Sequence, residues 1–370
     1  MKNILFVGLD VDTKNFHAAI VSQQNGELFA FKIKNDVPAL IKKLKTYSKG
    51  AEVRVCYEAS YIGFSLCRTL KANNIHCDVI APSAIPRKTG ERVKTDRIDA
   101  EKLATYYMQN MLTPVYVPNV EVEADRDLIR SRHFLQLQIK DLKFHIAHFC
   151  RRIDLNYKEC TGSKQYWTGE HLKWIKMKAG ALEVESQSST LTLLLKQLSQ
   201  FQDMISDFDN ELEKIANKER YRKQVAALGA FRGIARTFAL QFITEIGDIN
   251  RFNHPRQLTS YAGMDIVEYS SGGRQNRFSI TKTGNAFIRT AAVEACQRVD
   301  KTPKETKHLK KRREELGSSK DHIEIADRCM RRLYKRSIRL KSRGKHTNKV
   351  KVACARELLS FVWEALRAAA

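Results

Sequence analysis

The chain lacks any apolar run long enough to cross a bilayer. Its opening, Met1-Lys2-Asn3-Ile4, passes directly into a strand-like segment with no apolar leader or small-residue cleavage site, so no secretory signal is expected. Paired cysteines are also missing. The eight cysteines stand singly at 56, 67, 77, 150, 160, 296, 329 and 354, and none forms a C-x-x-C step. A zinc ribbon has little support, and 370 residues are too many for a disulfide framework. A reducing cytoplasm is the expected setting.

Acidic charge is scarce at one end only. The net charge is +24. Residues 1–118 hold 17 Lys+Arg against 11 Asp+Glu, residues 119–219 hold 15 against 16, and residues 220–370 hold 33 against 14. The excess therefore sits in the last block, which points to a polyanion such as nucleic acid rather than to a uniformly basic surface.

The first block alternates between strand and helix patterns. Ile4–Val11 is an apolar, β-branched run. Phe16–Val21 and Leu28–Ile33 follow as strands, the second after hairpin-turn residues Gln24-Asn25-Gly26-Glu27. Helical spacing over Val37–Tyr47 leads to a strand at Glu52–Tyr57. A helix capped by Ser60 is expected to run to Ala72, and a strand at Ile75–Ala81 to end before Pro82. A last helix, capped by Thr95 or Asp96, is expected to run to about Asn110. The order β-β-β-α-β-α-β-α matches a ribonuclease H-like layout.

Pro114 and Pro118 bracket a linker. Beyond it, Leu135, Ile139, Leu142, Ile146, Phe149 and Ile153 form a heptad seam. A second seam runs through Leu191, Leu194, Leu198, Phe201, Ile205, Phe208, Leu212 and Ile215. The seams could pair within one chain or between chains, and 156–189 reads as an insertion or bend between them. From Tyr221 the pattern changes: two short helices meet near Gly233, a turn-rich stretch covers Glu268–Thr283, and a final amphipathic helix runs from Val350 to about Leu366. The expected fold class is α/β plus α. Residues 1–118 form the α/β domain, 119–219 a helical coiled coil, and 220–370 a mostly helical C-terminal domain.

Four carboxylates stand out. Asp10 lies near the end of the first strand and Glu58 at the end of the fourth, strands that are neighbours in a ribonuclease H-like sheet. Asp96 and Asp99 lie three apart at a helix start and share one face. Each alone has a bland reading, as a turn residue, a surface ion pair, an N-cap or a first-turn acid. Together they would repel unless cations bind between them, and hard oxygen ligands suit magnesium in phosphoryl transfer. A second candidate is Tyr269-Ser270-Ser271-Gly272-Gly273-Arg274, either a flexible turn or a loop whose glycines let backbone approach a phosphate. A serine there, near Arg274, Arg277 and Lys282, could attack a phosphodiester. Lys94, Arg97 and the run Lys310-Lys311-Arg312-Arg313 are further candidates for nucleic-acid contact.

These motifs resemble one family. Gly8-Leu9-Asp10-Val11, Tyr57-Glu58-Ala59-Ser60 and Lys94-Thr95-Asp96-Arg97-Ile98-Asp99-Ala100 match its acidic motifs. Leu258–Met264, Glu268–Gly273 and Ile280–Asn285 resemble its C-terminal domain. It is the DEDD transposase family of bacterial insertion sequences, of the insertion-sequence one-ten type. Ala353-Cys354-Ala355-Arg356-Glu357-Leu358 is most similar to its eleven-eleven branch. The resemblance implies a RuvC-like N-terminal domain binding magnesium through Asp10, Glu58, Asp96 and Asp99. It also implies a C-terminal transposase domain with Ser271 as a covalent nucleophile toward DNA, beside Ser270. A structured non-coding guide RNA would bridge donor and target DNA, and homo-oligomers would complete the active site. One departure is Phe231-Arg232-Gly233-Ile234-Ala235, where Ala235 replaces the second glycine of a helix-hairpin-helix-like turn. Rival readings are a site-specific DNA invertase, a Holliday-junction-type nuclease that would need the acids but no serine, and a binding protein with a decayed site.

Overall fold

The structure is a computed structural model that describes residues 3–86, 95–271 and 274–370. The chain divides into two compact units, Met1–Pro118 and Asn119–Ala370. The second includes the helical stretch from 119 to 219.

In the first unit, β1 (Ile4–Val11), β2 (Asn15–Ser22), β3 (Leu28–Lys34), β4 (Glu52–Glu58) and β5 (His76–Ile80) form one sheet in the order β3-β2-β1-β4-β5. β1 pairs antiparallel with β2 and parallel with β4, so it is central. Alternation along the strands separates two cores. Leu5, Val7 and Leu9 of β1, with Phe16, Ala18 and Ile20 of β2 and Val55 and Tyr57 of β4, pack beneath α1 (Val37–Ser48) and α2 (Ser65–Ala72). Phe6 and Cys56 face the other way, against Leu103, Tyr106 and Tyr107 of α3 (Asp96–Met108), and Ala19 and Val21 meet Ala100 and Ala104 of the same helix. A strand covered on both faces reads as a continuous apolar run, which is the pattern β1 shows in the sequence.

Two expectations shift. The helix expected from Ser60 begins at Ser65, because Gly63 adopts φ +65° and its carbonyl accepts the Tyr57 hydroxyl at 2.9 Å, holding residues 60–64 as a turn. The proline-bracketed linker is pinned along β5: Val115 N donates to Val79 O at 2.8 Å, Pro114 bridges Ile80, and Val115 and Val117 pack on the core.

In the second unit, α4 (Val120–Arg152) and α7 (Glu185–Ala216) pack against each other within the chain. Leu142, Ile146 and Phe149 meet Leu191, Leu195 and Leu198 at one end, while Ile129 meets Leu212 and Ile215 at the other, so the helices run antiparallel. The seam is broader than the heptad pattern, since Leu195 is buried as well as Leu191 and Leu198. Arg132 clasps Asp209 through two hydrogen bonds of 2.7 and 3.0 Å. The stretch expected as a bend holds α5 (Tyr157–Thr161) and α6 (Gly169–Gly180), whose Ile175 and Ala179 complete that core.

The rest is helical around one large core: α8 (Glu219–Gly229), α9 (Arg236–Ile246), α10 (Pro255–Tyr261), α11 (Ala286–Ala295), α12 (Lys307–Leu316), α13 (Lys320–Ser342) and α14 (Thr347–Ala369). Leu358, Leu359 and Val362 of α14 lie in that core with Leu240 and Phe242 of α9. The exception is an antiparallel hairpin, β6 (Ile266–Ser271) and β7 (Arg274–Ile280), where the sequence indicates only turns. Its residues are mostly polar, so no apolar alternation announces a strand. Among the described residues, no helix is long and apolar enough to cross a membrane.

Candidate active site

The acids are positioned by one close contact. Gly8 lies two residues before Asp10 and faces α3. A Cβ there would come within 2.3 Å of Ala100 O, 2.4 Å of Ala104 N and 2.8 Å of Leu103 Cβ. Only glycine lets the helix backbone rest on the strand. One step along the same face of β1 is Asp10, and one turn back along α3 from Ala100 is Asp96. Strand and helix rises make these displacements similar, ~6 Å each.

His17 ties the two ends together. It lies opposite Asp10 in the β1–β2 register, and its Nε2 is 3.4 Å from Asp96 Oδ2. Thr95 starts α3 by accepting from Ile98 N, which leaves Asp96 and Asp99 in the first turn, where the helix dipole favours negative charge. Glu58 ends β4 one residue past the Leu9–Tyr57 pair, and Asp10 lies one residue past the same pair on β1. It shares the face of Cys56, whose Sγ lies 3.7 Å from Leu103 O of α3. Asp10, Glu58, Asp96 and Asp99 therefore belong to the side of the sheet that carries α3, and Glu58 and Asp96 are exposed.

The donor set is four carboxylates, hard oxygen ligands suited to a hard divalent cation. Among the described residues no three His, Cys, Asp or Glu side chains converge closely enough to hold an ion as they stand. Asp96 instead leans on His17, and Asp99 lies 3.6 Å from Lys102 Nζ. The donor chemistry fits such an ion, and ligation would turn these two carboxylates from their present partners, His17 and Lys102. His17 is a residue of the candidate site that the motifs do not mark. Its signal in the sequence is a polar side chain in an otherwise apolar strand.

The serine lies in the second unit, at the end of β6. Ser271 pairs with Arg274 across the hairpin. Gly272 and Gly273 fall outside the described residues, as does Lys94, and Ser271, Arg274 and Arg277 are described by backbone alone. The base of the hairpin is tied to the helices. Thr281 N donates to Asp265 O, Lys282 N to Gly263 O and Asn285 N to Tyr261 O, at 2.8, 2.9 and 2.7 Å. Lys282 takes φ +57° there. Gly284 leaves no room for a side chain, since a Cβ would lie 2.4 Å from Tyr261 O.

Beneath this base lies a buried carboxylate. Glu245 receives Arg130 Nε and Nη2 at 2.8 and 2.9 Å and Asn285 Nδ2 at 2.7 Å. Asn285 also caps α11 through Ile288 N. The hairpin base is thus joined through Glu245 to α4. Glu245 belongs to no motif, although a carboxylate inside the apolar helix α9 is itself a signal.

The basic candidates divide. Arg97 pairs with Glu101 at 2.8 Å, and Lys310 and Lys311 face Glu314 and Glu315 one turn on. Arg312 donates to Gly229 O and Phe231 O at 2.9 and 2.7 Å. Arg313, 4% exposed, donates to Ala230 O and meets Glu305 and Asp327. These two arginines hold the α8–α9 turn, where Gly233 takes φ +90° with no space for a Cβ beside Ala295 O. They face protein carbonyls and carboxylates rather than solvent.

Residues 7–153 match a DEDD transposase family of the IS110 type, and residues 225–310 match the family described as Transposase IS116/IS110/IS902. The chain is 34% identical over 367 residues to a putative transposase, y4qE, of Sinorhizobium fredii, covering 98% of this chain and 89% of that one. It is 30% identical over 262 residues to the transposase for insertion sequence element IS1533 of Leptospira borgpetersenii, covering 69% and 73% of the two chains. It is 22% identical over 334 residues to the transposase for insertion sequence element IS1111A of Coxiella burnetii, covering 89% and 88%. With its acidic motifs on one face of the sheet and 98% of its length aligned to a transposase relative, the chain belongs to the IS110 family of insertion-sequence transposases, enzymes that move DNA.

Proposed function

We propose that this transposase cuts and rejoins DNA through a covalent serine intermediate, with magnesium bound by Asp10, Glu58, Asp96 and Asp99 of a RuvC-like, ribonuclease H-type sheet. The observation that carries the reading is the seating of α3 on Gly8, which brings the acids of three separate elements to one sheet face. The strand order β3-β2-β1-β4-β5 supports the RuvC-like assignment.

In the proposed reaction the Ser271 hydroxyl loses its proton and its oxygen attacks the scissile phosphorus. The bond from phosphorus to the 3′ oxygen breaks. The 5′-phosphate is then esterified to Ser271, and the departing 3′ oxygen takes up a proton. Rejoining reverses this: a 3′ hydroxyl attacks the phosphoserine and the serine is released. One phosphodiester is exchanged for another, so no outside energy is needed. Bound magnesium would supply charge stabilisation at the scissile phosphate. The acids hold it, and His17 and Lys102 are the present partners of two of them.

The domain division at 118 and 219, the guide RNA and the oligomer are parts of the same reading. The concentration of positive charge in residues 220–370 supports two polyanionic partners, donor and target DNA together with a structured RNA. Phe134, Leu137 and Phe144 of α4 and Leu193 of α7 are exposed apolar side chains on the paired helices, which supports a second copy packing there. Acids and serine lie in different units, consistent with a site shared between subunits.

The test is direct. The full chain is incubated with end-labelled DNA, its candidate RNA and magnesium, then denatured and examined for protein-linked DNA. A magnesium-dependent adduct that disappears in Ser271→Ala is expected. An adduct that survives this change overturns the nucleophile, and cleavage without any adduct favours a hydrolytic nuclease.

A further inference from the structure

Helix α13 carries two rows of cations that meet different fates. Arg328, Arg332 and Arg336 lie beside α14. Arg328 pairs with Glu364, while Arg332 and Arg336 share Glu357. The second row is Arg331, Lys335, Arg339 and Arg343, stepping by four from mid-helix to the residue that caps it. All four are exposed, and none lies within ion-pair distance of a carboxylate among the described residues.

The geometry of the helix explains the division. Cys329, Leu333 and Ser337 are the buried seam of α13. Arg331, Lys335 and Arg339 each follow one of these by two residues, a turn of ~200°, and so point away from the core. Successive members are ~6 Å apart along the axis, and the row spans ~18 Å. Three of the four are arginines, whose planar fork suits phosphate oxygens. The row contains no aromatic ring, so it offers charge without a stacking platform for unpaired bases.

We infer that this outer row of α13 docks the sugar-phosphate backbone of duplex DNA, independent of base sequence. The inference rests on the reading of the chain as a DNA-transposing enzyme and adds a surface that the acids, the serine loop and the Lys310–Arg313 run do not include. Phosphate contacts of this kind position a protein on a duplex without reading it.

The experiment is a salt titration of binding. The full chain and the variant R331Q/K335Q/R339Q/R343Q are titrated onto a short duplex DNA of arbitrary sequence between 50 and 200 mM salt. Each phosphate neutralised contributes about 0.9 to the slope of log K against log salt, so the variant's slope should be shallower by about 3 to 4. Over that range the unmodified chain should lose about 100-fold more affinity than the variant. Single replacements should each remove about one quarter of the difference. The paired-row variant R328Q/R332Q should keep the original slope.

Equal slopes for the unmodified chain and the four-residue variant overturn the inference and leave the row a solvated face. An equal fall in the paired-row variant overturns it too, because general loss of charge would then explain the effect. A slope change seen with an RNA duplex and not with DNA assigns the row to RNA and overturns the DNA assignment. Ser271→Ala should retain the original slope, so loss of the covalent adduct and loss of salt dependence report on separate claims.

Discussion

The acids and the serine are held in contrasting ways. The carboxylates sit where regular structure places them, at the ends of two adjacent strands and in the first turn of a helix seated on a glycine. The serine sits on a two-stranded hairpin that pairs with no other strand among the described residues and shows Tyr269 and Phe278 to solvent. The sheet fixes its site through many backbone hydrogen bonds. The hairpin is fixed chiefly at its base, by Glu245, Asn285 and the turn at Gly263. The proposed roles fit that contrast: a metal-binding array would require mutually fixed oxygens, whereas a nucleophile first joined to DNA and then released would have to reach its phosphate.

The comparison breaks most sharply on activity. Asp10→Ala and Ser271→Ala should each lower strand exchange by about 100-fold or more, the scale of removing a principal catalytic group. Only Ser271→Ala should leave the metal affinity of the acid site unchanged, as measured by calorimetric titration of magnesium. Equal loss of metal binding in both would show that the two regions do not divide the labour.

Next is the hairpin base. Glu245→Ala leaves the half-exposed Arg130 and Asn285 without their shared carboxylate and should cost about 1–2 kcal/mol in denaturant unfolding. Adduct formation should fall with it, since the ribbon loses its anchor. A variant that melts normally and forms adduct at the original rate would remove Glu245 from this role.

On the sheet side, Gly8→Ala drives a methyl into the α3 backbone and should cost about 1–3 kcal/mol. Gly169→Ala, where a methyl meets nothing within 4 Å, should be nearly silent in the same urea melts. If both behave alike, the close seating of α3 is not what positions the acids.

The smallest effect concerns the aromatic cluster at the far end of α4. His171 is buried among Tyr157, Trp167 and Trp174, and its Nδ1 accepts Trp167 N–H at 2.9 Å. Burial lowers its pKa from the ordinary 6.5. The unfolded chain therefore takes up a proton near pH 6.5 that the folded chain resists. Stability is fully present above that pH and declines as pH falls toward the lower folded value. Tryptophan fluorescence during unfolding at pH 7.5 and 5.5 should show the decline, and His171→Phe should flatten it.

Much of the site is legible in the amino-acid sequence. Asp10 and Glu58 are ionisable residues at the edges of apolar runs, and Asp96 and Asp99 carry an N-terminal helix signal, all local features. The hairpin is not legible, because its residues are mostly polar and show no apolar alternation. The pairing partner of the helical seams is open in the sequence too, since a heptad stripe states that a helix has a partner and not which one.

By itself the sequence determined the order of strands and helices in residues 1–118 and the concentration of positive charge beyond residue 220, and it marked the four acids as candidates. Only the tertiary structure decided which of those charges remain available. Arg312 and Arg313 belong to the densest basic run, yet the fold turns them onto carbonyls and carboxylates. Arg331, Lys335, Arg339 and Arg343, dispersed along one helix, are left facing solvent. The physical reason is that a cation's availability depends on what long-range packing sets beside it. Glu357 and Glu364 neutralise one side of α13 and cannot reach the other.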